Sequence, residues 1–212
     1  MEDNEGTAKE EKGEQKNLII VIFGKKGSGK TNLTKYLLSK TSSNKSLFIW
    51  DFLGEYGDYG YVFTDVIELL KYLKGHKPPY KIVFQSDNLE DFDKLCQIVY
   101  KVGNTILMIE ETDAICNPTS ISQNFAYIIR YGRHFNIDII GITRRPYEIN
   151  RLLTAQADKL FVFQFNEPRD LTYLKAFMPS DITHRIKTLP RFNFICYDTV
   201  SSEILQNKAP LM

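Results

Sequence analysis

From Asn17 onward, short runs of apolar residues alternate with segments whose apolar positions recur at helical spacing. Seven runs predict strands: 17–23 (NLIIVIF), 46–51 (SLFIWD), 80–85 (YKIVFQ), 105–110 (TILMIE), 137–142 (IDIIGI), 159–165 (KLFVFQF) and 192–198 (FNFICYD). Helices are predicted near 30–40, 64–74, 89–102, 120–134, 149–156 and 168–177. Several strands are apolar at nearly every position, which predicts burial on both faces. Strand–helix–strand alternation then implies an α/β fold, with a mostly parallel central sheet flanked by helices on both faces. The segment 201–206 (SSEILQ) predicts a closing hairpin after the last strand. Residues 1–16 (MEDNEGTAKEEKGEQK) mix charges without apolar periodicity and predict a disordered arm. Residues 17–212 read as a single domain, because no repeat and no Pro-rich linker divides them.

Composition narrows the picture. A chain of 212 residues buries enough surface to fold without a metal or disulfide staple. The 27 Lys and Arg nearly cancel the 26 Asp and Glu, which argues against a surface coated in base but leaves room for a local basic channel. Cys96, Cys116 and Cys196 are an odd, widely spaced set without a C-x-x-C pair, so a reducing, intracellular setting is expected. His76, His134 and His184 stand apart from one another and from the cysteines, so no metal-ligand spacing is present. The longest clean apolar run, 18–23 (LIIVIF), is too short to cross a bilayer, and the polar N-terminus carries no signal peptide; a protein that is not secreted is expected.

In such sheets ligands bind outside the carboxyl ends of the strands, so the residues just after each run carry the most information. After the first run comes GKKGSGKT, which fits G-x-x-x-x-G-K-[ST] from Gly24 to Thr31 and is followed by the helical segment TNLTKYLLSK. Gly24, Gly27 and Gly29 allow the backbone N–H groups to converge on phosphate oxygens, and the helix N-terminus adds partial positive charge. The predicted nucleotide-binding set is Gly24, Lys25, Lys26, Gly27, Ser28, Gly29, Lys30, Thr31 and Asn32, with Lys30 reaching the β- and γ-phosphates and Thr31 ligating Mg²⁺. The expected ligand is a nucleoside triphosphate, which the family resemblance that follows narrows to ATP.

The run TILMIE ends in Glu110 and Glu111, with Asp113 close behind. Carboxylates at the lip of an apolar strand are costly unless a positive group sits opposite. Glu110 is expected to hold Mg²⁺ and Glu111 to orient or deprotonate an attacking water. A catalytic Glu on such a strand is typical of motors and helicases. The segment DFLG (51–54) fits the D-x-x-G of GTPases, but it follows the Gly-rich loop too soon and no N-K-x-D reader follows, so that reading is rejected.

Beyond these motifs, three stretches resemble the FtsK–HerA superfamily of DNA-pumping ATPases. They are 48–60 (FIWDFLGEYGDYG), 128–146 (IIRYGRHFNIDIIGITRRP) and 152–179 (LLTAQADKLFVFQFNEPRDLTYLKAFMP). With the Gly-rich loop, the likeness spans most of 17–180. Together with the size of the chain, the resemblance implies a RecA-like P-loop NTPase core most similar to the genome-packaging ATPases of membrane-containing icosahedral viruses. It further implies a homo-oligomeric ring, hexameric in the expected form, that drives double-stranded DNA into a preformed capsid. Portal or membrane proteins of the virion would be its partners, and the setting would be the host cytoplasm or the virion. The rival readings are a cellular or plasmid conjugation translocase, an assembly or regulatory protein with weak hydrolysis, and a small-molecule kinase, which would need a lid and an acceptor pocket.

The resemblance also implies an arginine acting across a subunit interface, for which Arg133, in GRH, and Arg130 are the candidates. Relatives carry Thr-Gln-Arg-Pro where this chain has Thr143-Arg144-Arg145-Pro146. Arg144 in place of the sensing Gln leaves three options open: contact with phosphate, pairing with Glu110 or Glu111, or contact with DNA. The Gly- and Tyr-rich stretch 54–61 (GEYGDYGY) reads as a packed surface turn ahead of a mobile loop facing DNA.

Overall fold

The computed structural model describes residues 17–210, so the predicted arm 1–16 lies outside the described residues. In chain order the elements are β1 (Ile19–Phe23), α1 (Lys30–Ser39), β2 (Ser46–Trp50), β3 (Tyr61–Phe63), α2 (Val66–Gly75), β4 (Lys81–Phe84) and α3 (Leu89–Val102). They continue with β5 (Thr105–Ile109), α4 (Thr112–Ile115), β6 (Cys116–Asn117), β7 (Ser120–Ile121), α5 (Gln123–Tyr131), β8 (Ile137–Thr143) and α6 (Arg151–Ala155). The last are β9 (Lys159–Phe163), α7 (Pro168–Lys175), α8 (Ser180–Thr188), β10 (Asn193–Asp198) and β11 (Ile204–Lys208).

One sheet of nine strands has the order β11-β10-β9-β1-β8-β5-β2-β4-β3. The pairings from β9 through to β3 are all parallel, and β10 is antiparallel to both β9 and β11. The apolar runs follow from burial on both faces. In β1, Ile19, Val21 and Phe23 point into one core cluster while Ile20 and Ile22 point into another. In β5, Leu107 and Ile109 likewise part from Ile106 and Met108. Truncating any of these side chains to Ala should cost about 2–5 kcal/mol, because each is buried among packed neighbours.

Polar residues set the helix starts. Asp65, Asn88, Ser122 and Asn150 each accept a hydrogen bond from an amide in the first turn of α2, α3, α5 and α6. Helix α1, like α4, α7 and α8, has no side-chain cap; its N-cap is Gly29, at the end of the Gly-rich loop, which leaves its first amides for a ligand.

The seven predicted strands and the closing hairpin are all present, with ends shifted by one or two residues. Three elements depart from expectation. The predicted helix 120–134 is broken into the short β6–β7 hairpin, α5 and a 3-10 turn at Gly132–Phe135. Helix α8 has too few apolar positions to stand out, yet it buries Ile182, Thr183 and Ile186. The stretch 54–61 packs, as expected: Tyr56 is buried and Gly57–Tyr59 form a 3-10 turn. Its end, however, starts β3, an edge strand whose exposed Tyr61 and Val62 give no burial signal.

Candidate active site

Three neighbouring strands, β1, β8 and β5, deliver the predicted chemistry to one edge of the sheet. The loop after β1 is fastened to β8 by the Gly24 amide, which donates to the Thr143 carbonyl at 3.2 Å. Within the loop, the Ser28 amide and the Lys30 ammonium both donate to the Lys25 carbonyl, each at 3.2 Å. A Cβ on Gly24 would lie 2.5 Å from Ser28 Oγ and 3.0 Å from Lys30 Cγ, so only glycine fits there. Gly29 turns into α1 with φ 107°, a left-handed conformation that disfavours a side chain. Ser28 Oγ is buried and has no hydrogen-bond partner among the described residues. Such an orphan, beside the open amides of α1, fits a ligand made of oxygens. Burial lowers the Lys30 pKa from its ordinary value, against the opposing pull of Glu111.

Glu110 continues the β5 ladder, its amide donating to the Trp50 carbonyl at 3.0 Å. Its buried carboxylate accepts from the Leu53 amide at 3.1 Å. Burial pushes this carboxyl up to about 7; the Leu53 amide opposes the rise, while Glu55 and Asp51 add to it. Glu111 then turns out of the strand at φ 48°, and this left-handed step aims its side chain across the end of β8.

There it meets Arg144. The guanidinium donates through Nε at 2.7 Å and Nη2 at 2.6 Å, both to Glu111 Oε1. Of the three options that the sequence leaves open for Arg144, the structure shows pairing with Glu111. Arg145 turns the other way, its Nε donating to the fully buried Asp170 at 3.0 Å. Asp170 also accepts from the Tyr147 amide at 3.2 Å, which fixes the exit from β8. Just before the two arginines, the Thr143 hydroxyl donates to Asp113 at 2.8 Å.

The β2–β3 connection brings carboxylates that sequence reasoning did not place in the site. Asp51 is fully buried and accepts from the amides of Glu55 and Tyr56 at 2.8 and 3.1 Å and from Gln85 Nε2 at 3.1 Å. It therefore shapes a turn, and the turn presents Glu55, whose Oε2 accepts from the Thr31 hydroxyl at 3.3 Å. Thr31 and Glu110, with Glu55 beside them, form an oxygen set compatible with a hard cation. Among the described residues no three His, Cys, Asp or Glu side chains are grouped to hold a metal alone. A Mg²⁺ ion usually takes one or two carboxylates plus substrate phosphates.

Two clefts flank the Gly-rich loop. One of about 420 Å³ is lined by Lys25, Lys26, Arg144 and Arg145 with Asn166, Glu167 and Asp170. The other, about 220 Å³, runs along Gly27, Gly29, Lys30, Thr31 and Asn32 to Arg191 and Phe192. The last two arrive from the turn before β10, and nothing local in the sequence marks them.

Arg130 and Arg133 are not brought to this edge. Arg130 lies in the last turn of α5 and Arg133 in the 3-10 turn that follows, whose Phe135 carbonyl accepts from the Asn104 amide at 2.8 Å, at the start of β5 and β8. That is the opposite end of the strands from the Gly-rich loop.

A family model described as Poxvirus A32 protein matches residues 7–164. No curated protein sequence matches the chain. Among solved structures, the genome packaging NTPase B204 from Sulfolobus turreted icosahedral virus 2 in complex with AMPPCP is 26% identical with a TM-score of 0.79, covering 92% of this chain and 99% of that one. The DNA-packaging ATPase B204 from Sulfolobus turreted icosahedral virus is 24% identical with a TM-score of 0.76, covering 93% and 100%. The pCW3 conjugation coupling protein TcpA shares the fold at 14% identity and a TM-score of 0.64, covering 92% of this chain and 60% of that one. No helix among the described residues is long and apolar enough to cross a membrane.

Proposed function

Because the chain belongs to the poxvirus A32 protein family, we propose that it is an ATP-hydrolysing motor that packages double-stranded DNA into a capsid. The observation that carries this reading is the meeting of cradle, Glu111 and Arg144 over three adjacent strand ends. Its similarity to a genome packaging NTPase in complex with AMPPCP, across nearly the whole of that chain, points the same way.

In this reading the loop and first-turn amides other than those of Gly24 and Ser28, with the Lys30 ammonium, hold the phosphates, and Ser28 Oγ gains the partner it lacks. Thr31 and Glu110 would hold Mg²⁺, which when bound neutralises charge on the phosphate oxygens. Glu111 is the group that orients water. In the structure Arg144 holds one of its oxygens. Arg144 is half exposed and lines the cleft with Lys25 and Lys26, within reach of an arriving γ-phosphate. Exchange of Glu111 for phosphate would free the carboxylate for water and place positive charge where it develops in the transition state.

Arg130 and Arg133 lie at the far end of the strands, so a catalytic role for either requires a second copy of the chain. We place Arg133 at a neighbour's γ-phosphate in a ring of copies, with Arg130 as the alternative. DNA would be held by its phosphates, independent of sequence.

The test is turnover of ATP by variants. Lys30→Ala and Glu111→Gln should each abolish hydrolysis, with Glu111→Gln still binding ATP; normal hydrolysis by Glu111→Gln would remove it as the water-orienting group. Arg133→Ala should also be inactive, yet a mixture of Arg133→Ala and Glu111→Gln proteins should regain turnover at shared interfaces. A mixture that stays inactive, or an active Arg133→Ala protein, refutes the trans role.

A further inference from the structure

We propose that Arg191 and Phe192 form the platform for the nucleoside half of the nucleotide. The inference rests on the phosphate-cradle reading and extends it to the other end of the ligand. A triphosphate in the loop has two ends. The reacting end belongs beside Glu111 and Arg144, on the cleft lined by Lys25 and Lys26. The nucleoside must then leave on the other side, through the cleft that runs from Thr31 and Asn32 to Arg191 and Phe192.

The turn that builds this cleft carries strain. The Asn193 amide donates to the Pro190 carbonyl at 3.0 Å, closing a four-residue turn around Arg191 and Phe192. Phe192 takes φ 66°, a conformation for which turns of this shape usually select glycine. A bulky residue held there is strained, and such strain gathers at ligand clamps. Two contacts hold it in place. The Phe192 carbonyl accepts from the Ala209 amide at 2.7 Å, and its ring lies against Gly29, where an added Cβ would meet Phe192 Cδ1 at 3.1 Å. The ring is thus seated on the loop at the first turn of α1.

Arg191 completes the surface. Its guanidinium lies 4.7 Å from the centre of the Phe192 ring, with Nη2 3.8 Å from the place a Gly27 Cβ would occupy. A planar cation over an aromatic ring, lining the cleft beside the Gly-rich loop, offers a base a π-surface on which to stack. The α-phosphate side of the ligand and this platform are therefore parts of one continuous groove.

The experiment compares ATP with inorganic tripolyphosphate, which fills the cradle but has no nucleoside. Both are titrated by calorimetry into the full chain, as wild type, Phe192→Gly, Arg191→Lys and Lys30→Ala. Phe192→Gly removes the ring while suiting the backbone conformation, and Arg191→Lys keeps the charge but loses the plane. Each should weaken ATP by about fivefold to a hundredfold, the range for loss of one stacking partner, while tripolyphosphate binding changes less than twofold. ATP affinity within twofold of wild type in both variants would overturn the platform, as would equal losses for ATP and tripolyphosphate. Failure of the cradle looks different: wild type would not bind tripolyphosphate, or Lys30→Ala would bind it as well as wild type.

Discussion

The Arg144–Glu111 pair is the part of the site that a perturbation reads most cleanly. Two guanidinium nitrogens, Nη2 and Nε, approach one carboxylate oxygen, at 2.6 and 2.7 Å. The Glu111 side chain is 14% exposed and that of Arg144 45%, so one partner is well desolvated and the other is not. An exposed ion pair contributes about 0.2–1 kcal/mol, and a hydrogen bond to a charged group about 1.5–3 kcal/mol. Partial exposure places this pair between those ranges, at roughly 1–2 kcal/mol. A double-mutant cycle of Arg144→Gln, Glu111→Gln and the double variant isolates that term, because each single change removes the pair without deleting the chain that packs around it. The assay is urea unfolding of nucleotide-free protein at low salt and again at about 1 M NaCl, where screening acts on the exposed partner. The expected coupling is roughly 1–2 kcal/mol at low salt and less than half of that at high salt. Coupling within about 0.3 kcal/mol of zero would refute the Arg144–Glu111 pair.

Two further perturbations probe the same edge of the sheet. Gly24→Ala should fold yet lose nucleotide binding, because its Cβ would press on Ser28 Oγ at 2.5 Å and on the Lys30 and Phe163 side chains at 3.0 Å; equilibrium binding of ATP with and without the substitution checks this, and unchanged affinity contradicts it. Glu110 sets a pH dependence in protein free of nucleotide and divalent cations. Its carboxyl titrates at about 7 when folded and at 4.5 when unperturbed, so between those values the folded chain holds more protons than the unfolded one. Stability should therefore fall as pH rises from 4.5 towards 7, by roughly 3 kcal/mol, and level off above. Glu110→Gln should lack that fall; parallel stability profiles for wild type and variant would count against it.

Local pattern carries the cradle and the catalytic strand because both are contiguous. Glycine spacing from Gly24 to Gly29 and the step from Ile109 to Glu110 are visible without knowing the fold. The sheet is equally legible, because strands buried on both faces are apolar throughout. What stays hidden arises from distant contacts. Asp51 sits in a motif that suits several roles, and its work as a cap for Glu55 and Tyr56 appears only when the turn is built. Arg144 had three plausible partners until β5 and β8 were paired and Glu111 took its left-handed turn. Arg191 and Phe192 reach Gly27 and Gly29 only because the sheet order sets β9, and then β10, beside β1. Helix α8 and strand β3 are weakly patterned, and tertiary packing and edge pairing decide them.

In the proposed function, hydrolysis at this site is coupled to DNA. The decisive measurement is the rate of ATP turnover by wild-type protein with and without double-stranded DNA of unrelated sequences, at low and high salt. Turnover should rise with any such DNA, lose the rise as salt displaces phosphate contacts, and vanish in Lys30→Ala. Turnover that is the same with and without DNA at low salt, in protein that binds ATP, would contradict that coupling.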